Sequence, residues 1–586
     1  MKIYLNQNVK RQIRNSFIAL VLLTGLAVSA YYLWWYQPPE DVFVPPDIDF
    51  SQLDALGIND NLALYKEEDR YKIWDLYVTV YQGTDAQTGG VYDLTSLNAI
   101  MGMTPDPQLD ALIYIIDPDT GNTFFNTESV QVNSTFSLRG QSARIEEQKS
   151  YKIKVYDGLG TFQGQQVLNL NKHTSDSSRL AQKYSFDQMA NFPDMVSLRT
   201  TFFRIHIKDG TQTQADYVNY GLFTHVEQPN KTFLNEHGLD PNGTLYKPTD
   251  FEFFESPYII PEDDPEFDKD MFSLLLKIRE NPDNAKLAKM LEEINNPSSN
   301  FPSVFQKYFD VDNYLTWCAM NLLLNNYDTM SRNYLLYSPS YSEKWYFLPW
   351  DYDKCMLSEE RFMSRGMKDF FGLARYWGTT LHKRFFSDPA HVRMLDNRID
   401  EIYSILMEQD WQSMTQKYTN TILSGFQNSL DEIFDDTDVD EIRENIVDFQ
   451  NRIMFCYNLY YSTQEKPMPI FLGSPKQEED QRITFNWSPS TDLQADRVYY
   501  EFSIFTDFRN RVASTVFREE TSLTKLTPAM RLPNGVYYWS AVVYDNKGNH
   551  QLAYDRYLVT DAAGNAYYEF GLRAFQIQDG EMTIIK

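Results

Sequence analysis

From residue 71 to about 250 the apolar positions alternate with polar ones, and beyond that they recur mostly at helical spacing. Residues 75–81 (DLYVTVY), 112–116, 136–140 (FSLRG), 149–156 (KSYKIKVY), 167–170, 202–207 and 220–226 read as strands, with turns at Gly89-Gly90 and Asp119-Thr120-Gly121. In 149–156, Lys152 and Lys154 alternate with Tyr151, Ile153 and Val155, so one face of that strand is basic and the other apolar. The polar stretch 211–219 joins two strands as a long hairpin. A glycine cluster at 158–164 matches neither G-x-G-x-x-G nor G-x-x-x-x-G-K and reads as a plain hairpin turn. Residues 176–191 carry a helical pattern, 231–236 a helix or turn, and 244–247 another strand.

From 250 to 300 the chain is acidic and increasingly helical, with amphipathic spacing in MFSLLLKIRENPDNAKLAKMLEEI. The helical pattern continues over 301–326, where Tyr314, Trp317, Cys318, Asn321 and Leu322 share one face. Two strand-like runs follow, 334–337 and 344–348, and then mostly helix to about 464, including 392–407 and 438–461. The acidic stretch 431–444 lacks EF-hand spacing and its glycine, and reads as a solvated helix connection. Residues 465–480, with Pro, Gly and charges, read as a linker. From 481 short strands at regular spacing predict a β-sandwich of about 100 residues, with Trp487 and Trp539 in its core.

The N-terminus has a different pattern. Residues 1–15 are basic, and 16–36 are uncharged, apolar and end in Tyr31, Tyr32, Trp34, Trp35 and Tyr36. That is long enough for a membrane-spanning helix with an interfacial aromatic belt. The basic flank keeps the N-terminus cytoplasmic and the bulk of the chain outside. A cleaved signal peptide ending near Val28-Ser29-Ala30 is the rival reading, but the apolar run continues past that point and favours an uncleaved anchor. Residues 37–70 are Pro-rich and acidic, and read as a spacer.

Composition narrows the function. A formal charge of −28 argues against nucleic acid and anionic lipid as partners of the main body. Cys318, Cys355 and Cys456 are scattered with no C-x-x-C, and the seven histidines form no H-E-x-x-H, so neither a zinc site nor a disulfide framework is supported. No G-x-S-x-G elbow occurs, which weakens a hydrolase reading.

The candidate chemistry lies in 325–353. Asp328 and Asn333 stand at D-x-x-x-x-N spacing before the two strand runs, and Asp351 and Asp353 follow Pro349-Trp350. A loop carboxylate, an amide oxygen and a second carboxylate supply what phosphoryl transfer with a divalent cation needs. Taken singly, Asp328 reads equally as a cap and Asn333 as a strand-start residue. Lys149, Lys152 and Lys154 are candidates for phosphate neutralisation, or a solvated basic face. Glu227, at the end of a strand, is a candidate to orient such a lysine, or an ordinary loop charge. Lys247, Arg139 and Arg144 are candidates for phosphate contact, with Arg139 also able to make a structural salt bridge.

The segments F-S-L-R-G-Q-S-A-R with K-S-Y-K-I-K, L-N-L-N-K-H-T-S-D-S-S-R-L, Y-G-L-F-T-H-V-E-Q-P-N-K-T-F-L, G-T-L-Y-K, N-N-Y-D-T-M-S-R-N-Y-L-L-Y and W-Y-F-L-P-W-D-Y-D, in this order, resemble the CotH family over roughly residues 75–460. These are atypical protein kinases first associated with spore coats. The resemblance implies an α+β, divergent two-lobed protein-kinase-like fold that uses ATP with Mg²⁺ (or Mn²⁺) to phosphorylate surface or coat proteins. It implies Asp328 as the catalytic aspartate, Asn333, Asp351 and Asp353 as metal ligands, Lys149 or Lys152 as a phosphate contact and Glu227 as the family's acidic residue; Lys247 and Arg139 complete the cofactor-binding candidates by their own chemistry. There is no H-R-D, D-F-G or Gly-rich loop, and Gln148 stands where the family has a basic residue before Lys149. The C-terminal strands resemble a fibronectin type III or Ig-like domain.

The resulting plan is a basic tail (1–15), a transmembrane anchor (16–36), a spacer (37–70), a kinase-like domain (71–464), a linker (465–480) and a β-sandwich (481–586). Its expected partners are a surface or coat protein, the membrane and a cell-envelope polymer. Two other readings stay open: a non-catalytic surface scaffold for envelope or exopolysaccharide assembly, and an AMP transferase or ligase on the same fold.

Overall fold

The alternating segments build a closed barrel. Its strands are β1 (Ile73–Thr84), β2 (Gln108–Ile116), β3 (Ser134–Leu138), β4 (Tyr151–Val155), β5 (Val167–Asn171), β6 (Thr200–Asp209) and β7 (Val218–Val226). They pair in the order β1-β6-β7-β5-β4-β3-β2, and β2 returns to β1 to close the ring. Only β1–β6 is parallel. Closure leaves these strands no open edge. In β4, Tyr151, Ile153 and Val155 are buried and Lys152 and Lys154 point outward, as the alternation requires. The interior is apolar, with Leu76, Val78, Ile113, Ile153, Phe203 and Ile205 fully buried.

These features belong to a computed structural model that describes residues 57–125, 131–173, 176–364, 367–434, 439–560 and 566–585. The expected basic tail, the expected anchor at 16–36 and most of the spacer lie outside the described residues. Among the described residues no helix is long and apolar enough to cross a membrane.

A second, antiparallel sheet carries the site. It consists of β8 (Thr244–Pro248), β9 (Leu276–Glu280), β10 (Tyr334–Ser338) and β11 (Tyr346–Pro349), in the order β9-β8-β10-β11. Strand β9 corrects the sequence expectation, which read this run as amphipathic helix. The helix there stops at Leu275; Leu276 turns extended and the chain pairs with β8 until Asn281-Pro282. Free hydrogen-bonding groups along β8 outweigh the helical periodicity, and Leu276 gains full burial. Asp283 then caps the next helix (Asn284–Asn295) by accepting the Lys286 N–H.

Helix α1 (Val311–Leu323) sets the register of β11. The Asn313 amide accepts the Phe347 N–H at 2.8 Å and donates to the Phe347 carbonyl at 3.1 Å, acting as a backbone surrogate. Trp317, fully buried, packs on Phe347 and Tyr334 from the two strands of the hairpin. Further helices, including α2 (Pro389–Met407) and α3 (Phe449–Gln464), enclose the same core.

One glycine is demanded by close approach. Gly221 (φ +84) lies where Asp431 reaches the barrel, and a Cβ there would overlap Asp431 Oδ2. Asp431 accepts the Leu222 N–H at 2.8 Å and pairs with Lys172 Nζ at 2.5 Å, with both side chains buried. The start of the acidic stretch read as a solvated connection is therefore a buried tie between barrel and helices.

The C-terminal strands form an antiparallel sandwich around Phe485, Trp487, Phe502, Trp539 and Phe575. Its larger sheet includes β12 (Val498–Phe505) and β13 (Gly535–Asp545), paired antiparallel. The segment read as a linker is packed: Met468 joins the large core, while Ile470 and Leu472 join the sandwich core.

Candidate active site

In the β10–β11 hairpin Tyr334 faces Pro349, so Asn333 and Trp350-Asp351 leave from the same open end. Residues far apart in the two acidic clusters meet there. Asn333 (φ +58) and Asp351 (φ +61) both occupy the left-handed region, which Asn and Asp tolerate better than most residues. The loop before β10 is held from outside the sheet. Buried Arg375 donates to the Asn326 carbonyl and to Asn325 Oδ1, each at 3.2 Å, and the Phe251 N–H donates to the Ser331 carbonyl at 2.7 Å. The Asn326 N–H donates to the Asn321 carbonyl at 2.9 Å, continuing from the end of α1.

Asn333 Nδ2 donates to Asp328 Oδ2 at 3.0 Å, and Lys354 Nζ stands 3.8 Å from the same oxygen. Burial raises the Asp328 carboxyl, Lys354 and Arg332 oppose that shift, and Asp351 adds to it. The half-buried Asp353 is pushed up to about 8 by burial and by the neighbouring Asp351. Asp351 thus acts on both Asp328 and Asp353, and a cation among these carboxylates would relieve that repulsion.

Opposite these acids stands a group of cations drawn from both sheets. Arg139 follows β3, Lys152 lies on the outer face of β4, Lys247 on β8 and Arg279 on β9. Lys247 Nζ lies 5.3 Å and Arg139 Cζ 5.9 Å from the centre of the Trp350 ring, within cation–π range. Arg139 also donates to Asn171 Oδ1. Burial works against the Arg139 charge, while Asp351 and Asp353 support it. Burial brings Lys247 down to about 8, with Asp351 opposing and Arg279 and Arg139 assisting. Lys152 is lowered by burial, then by Arg279 and Arg139.

Arg279 is the extra residue of a β-bulge, since Leu245 faces Glu280 and Tyr246 faces Ile278. Its Nε is buried and receives no partner among the described residues. Lys247 lies directly across from Lys277, an arrangement that like charges resist and an anion stabilises. Arg279 escaped the sequence reading because its run was taken as helix; the alternation Leu276, Ile278 against Lys277, Arg279 was the available signal. Arg375 and Trp350 were also missed, and only their contacts reveal them.

Other candidates go elsewhere. Lys149 is buried, and its ammonium donates to the Arg144 carbonyl at 2.5 Å, so it braces the 140–149 loop. Arg144 is spent on the Gly140, Gly102 and Met103 carbonyls and on Asp106. Lys154 is exposed. Glu227 orients no lysine of the 149–154 strand: it pairs with Arg199 and accepts from His237 Nε2 at 2.9 Å, while His237 Nδ1 contacts Asp60 at 2.6 Å. That buried cluster holds the start of β6 to the end of β7 through the Arg199 N–H.

The donor set suits a hard divalent cation, being carboxylate and amide oxygens without His or Cys. Asp328, Asp351 and Asp353 do not all three bring oxygens within 4.8 Å of one another, so they form no closed protein cage. Two protein ligands, with phosphate and water completing the shell, is the way Mg²⁺ is usually held beside a nucleotide.

The inner spore coat protein H of Bacillus subtilis (strain 168) is 26% identical over 242 residues, covering 41% of this chain and 63% of that protein. The family model described as CotH kinase protein matches residues 136–452, from β3 through the first turn of α3 and with every group of the candidate site inside it. By that match the chain belongs to the CotH kinase protein family.

Proposed function

We propose that this protein transfers the γ-phosphoryl group of ATP to serine or threonine hydroxyls of a surface or coat protein, as a divergent two-lobed kinase. In this reading the barrel is one lobe and the helix-covered second sheet the other. The observation that carries it is the pairing of Asp328–Asn333 with Asp351 at one hairpin end, facing Arg139, Lys152, Lys247 and Arg279.

Asp328 orients the attacking hydroxyl and accepts its proton as the new O–P bond forms and the bond from the γ-phosphorus to the bridging oxygen breaks, releasing ADP. Its raised affinity for protons helps it do so near neutral pH. Asn333 and Asp351 hold the metal, with Asp353 beside them. A bound Mg²⁺ or Mn²⁺ supplies charge neutralisation on the phosphate oxygens. Arg139, Lys152, Lys247 and Arg279 bind those oxygens, with Trp350 fixing Arg139 and Lys247 from behind.

The apolar stretch 16–36 supports attachment to the membrane, with the catalytic part on the outer side. The likeness to an inner spore coat protein of Bacillus subtilis supports a coat protein as substrate. The C-terminal sandwich serves as a spacer or adhesion unit, in the manner of fibronectin type III or Ig-like domains.

The test is transfer of labelled phosphate from ATP by the detergent-solubilised full chain, with Mg²⁺ or Mn²⁺ present. Asp328→Ala is expected to remove transfer while leaving nucleotide binding and the fold intact, and Asp351→Asn to remove metal-dependent nucleotide binding. Absence of any ATP binding with either metal defeats the proposal. Mass spectrometry of the product separates phosphoryl from AMP transfer.

A further inference from the structure

The sandwich holds a second group of acids that phosphoryl transfer does not use. Asp492 and Asp496 lie in the loop before β12, and Asp545 ends β13. Each offers a carboxylate oxygen, and these oxygens all lie within 4.8 Å of one another. No other group of His, Cys, Asp and Glu among the described residues converges in this way.

Acid clusters on loops are common, so the state of each oxygen matters. Asp545 is buried and well supplied: Oδ1 accepts the Lys547 and Asn549 N–H groups, each at 2.8 Å, and Oδ2 accepts Asn549 Nδ2 at 2.7 Å. Asp492 is only 8% exposed. Its Oδ1 accepts the Gln494 and Asp496 N–H groups at 3.0 and 2.9 Å, but its Oδ2 is buried and has no hydrogen-bond donor among the described residues. A buried carboxylate oxygen without a donor, beside two other carboxylates, is unfavourable unless a cation meets it. Lys547 Nζ pairs with Asp496 Oδ2 at 2.8 Å, on a side chain that is 52% exposed. One ammonium balances one of the three charges and leaves two.

We propose that Asp492, Asp496 and Asp545 form a calcium site. All the donors are hard oxygens, which excludes a preference for zinc or copper. Oxygens up to 4.8 Å apart can share one ion at Ca–O distances of about 2.3–2.6 Å. Ca²⁺ also accepts irregular shells completed by backbone carbonyls and water, whereas Mg²⁺ demands near-ideal octahedral geometry. The ion would tie the 492–496 loop to the 545–549 turn. The same loop reaches the large core, because Leu493 packs against it and the Thr491 carbonyl accepts the Met468 N–H at 2.8 Å. Calcium therefore stiffens the joint between the sandwich and the helical region.

The test is calorimetric titration of the solubilised full chain with CaCl₂, in an Asp351→Asn background so that the candidate phosphotransfer site contributes nothing. One Ca²⁺ per chain is expected, with Kd of about 0.01–1 mM, and saturation is expected to raise Tm by about 2–5 °C. Asp492→Asn should abolish binding with an unchanged far-UV circular dichroism spectrum. The more exposed Asp496→Asn, which disturbs the fold least, should weaken it about tenfold or more. Lys547→Met should tighten binding by removing a competing cation. No binding up to about 10 mM Ca²⁺, or binding that ignores both aspartate substitutions, overturns the site. Equal affinity for Mg²⁺ overturns the calcium assignment, and binding that appears only in Lys547→Met shows that lysine to be the resident counter-charge and overturns it too.

Discussion

The Asn333 side chain donates to Asp328 Oδ2 at 3.0 Å, so one amide group both fixes the candidate base and leaves its own oxygen turned from that bond. The four residues between them form a loop held at Ser331 by the Phe251 N–H, and Arg375 holds Asn325 and Asn326 just before Asp328. Positioning of the candidate base and of the proposed metal ligand is thus coupled.

Asn333→Ala should therefore lower turnover through both roles. A fall of about 10–100-fold in kcat is expected, because the Asp328 carboxylate is free to rotate away from the hydroxyl. Asp328→Asn should cost about 10²–10⁴-fold. Initial rates of labelled phosphate transfer measure both, and equal thermal stability of the two variants confirms that the loss is chemical.

Arg279→Ala should raise the KM for metal-bound ATP by about 10–100-fold, the effect of losing one charge-assisted hydrogen bond to phosphate. Arg279→Lys should recover part of it. Steady-state kinetics at two ionic strengths check the assignment: the wild-type KM should rise with salt and the Arg279→Ala KM should rise less. An unchanged KM would remove Arg279 from the phosphate wall.

Arg375→Ala leaves the Asn326 carbonyl and the Asn325 amide without their donor inside the core. The expected loss is about 2–4 kcal/mol of unfolding free energy, read by urea denaturation. Activity should fall further than the folded fraction does, since the loop bearing Asp328 loses its anchor.

The Glu227–His237 pair sets a pH window for stability. Burial alone would lower His237, but the Glu227 charge and the hydrogen bonds to Asp60 and Glu227 hold it up at about 9 against an ordinary 6.5. Its contribution is complete below pH 6.5 and is lost as pH rises through about 9. Burial would raise Glu227, but His237 and then Arg199 bring it down to about 2 from 4.5, so its contribution is lost as pH falls through about 2. The pair is worth about 3 kcal/mol between these limits. Tm measured from pH 5 to 10 should show the deficit of His237→Gln shrinking on the alkaline side. A deficit constant across that range contradicts the linkage.

Much of the scaffold was legible because its signals are local. Period-two alternation marked the barrel strands, and in β4 it assigned Lys152 and Lys154 to the outer face. The spacing from Asp328 to Asn333, the two strand runs and the position of Asp351 after Pro349-Trp350 marked the hairpin that gathers them. Partners were not legible in the same way. Glu227 ends a strand in both readings, yet its pairing with Arg199 and His237 depends on barrel strands meeting across the sheet.

By itself, then, the sequence determined the order of the elements, the acidic hairpin and the family resemblance, since turn chemistry and side-chain periodicity act over a few residues. Only the tertiary structure decided that 276–280 is a strand, because the hydrogen-bonding edge that captures it comes from β8, some thirty residues earlier in the chain. Only the tertiary structure separated Lys149 and Arg144, whose charges are consumed by nearby carbonyls, from Arg139, Lys152, Lys247 and Arg279, which stand before the acids. Charge is carried by the residue, but whether it is spent or available depends on what the fold packs beside it.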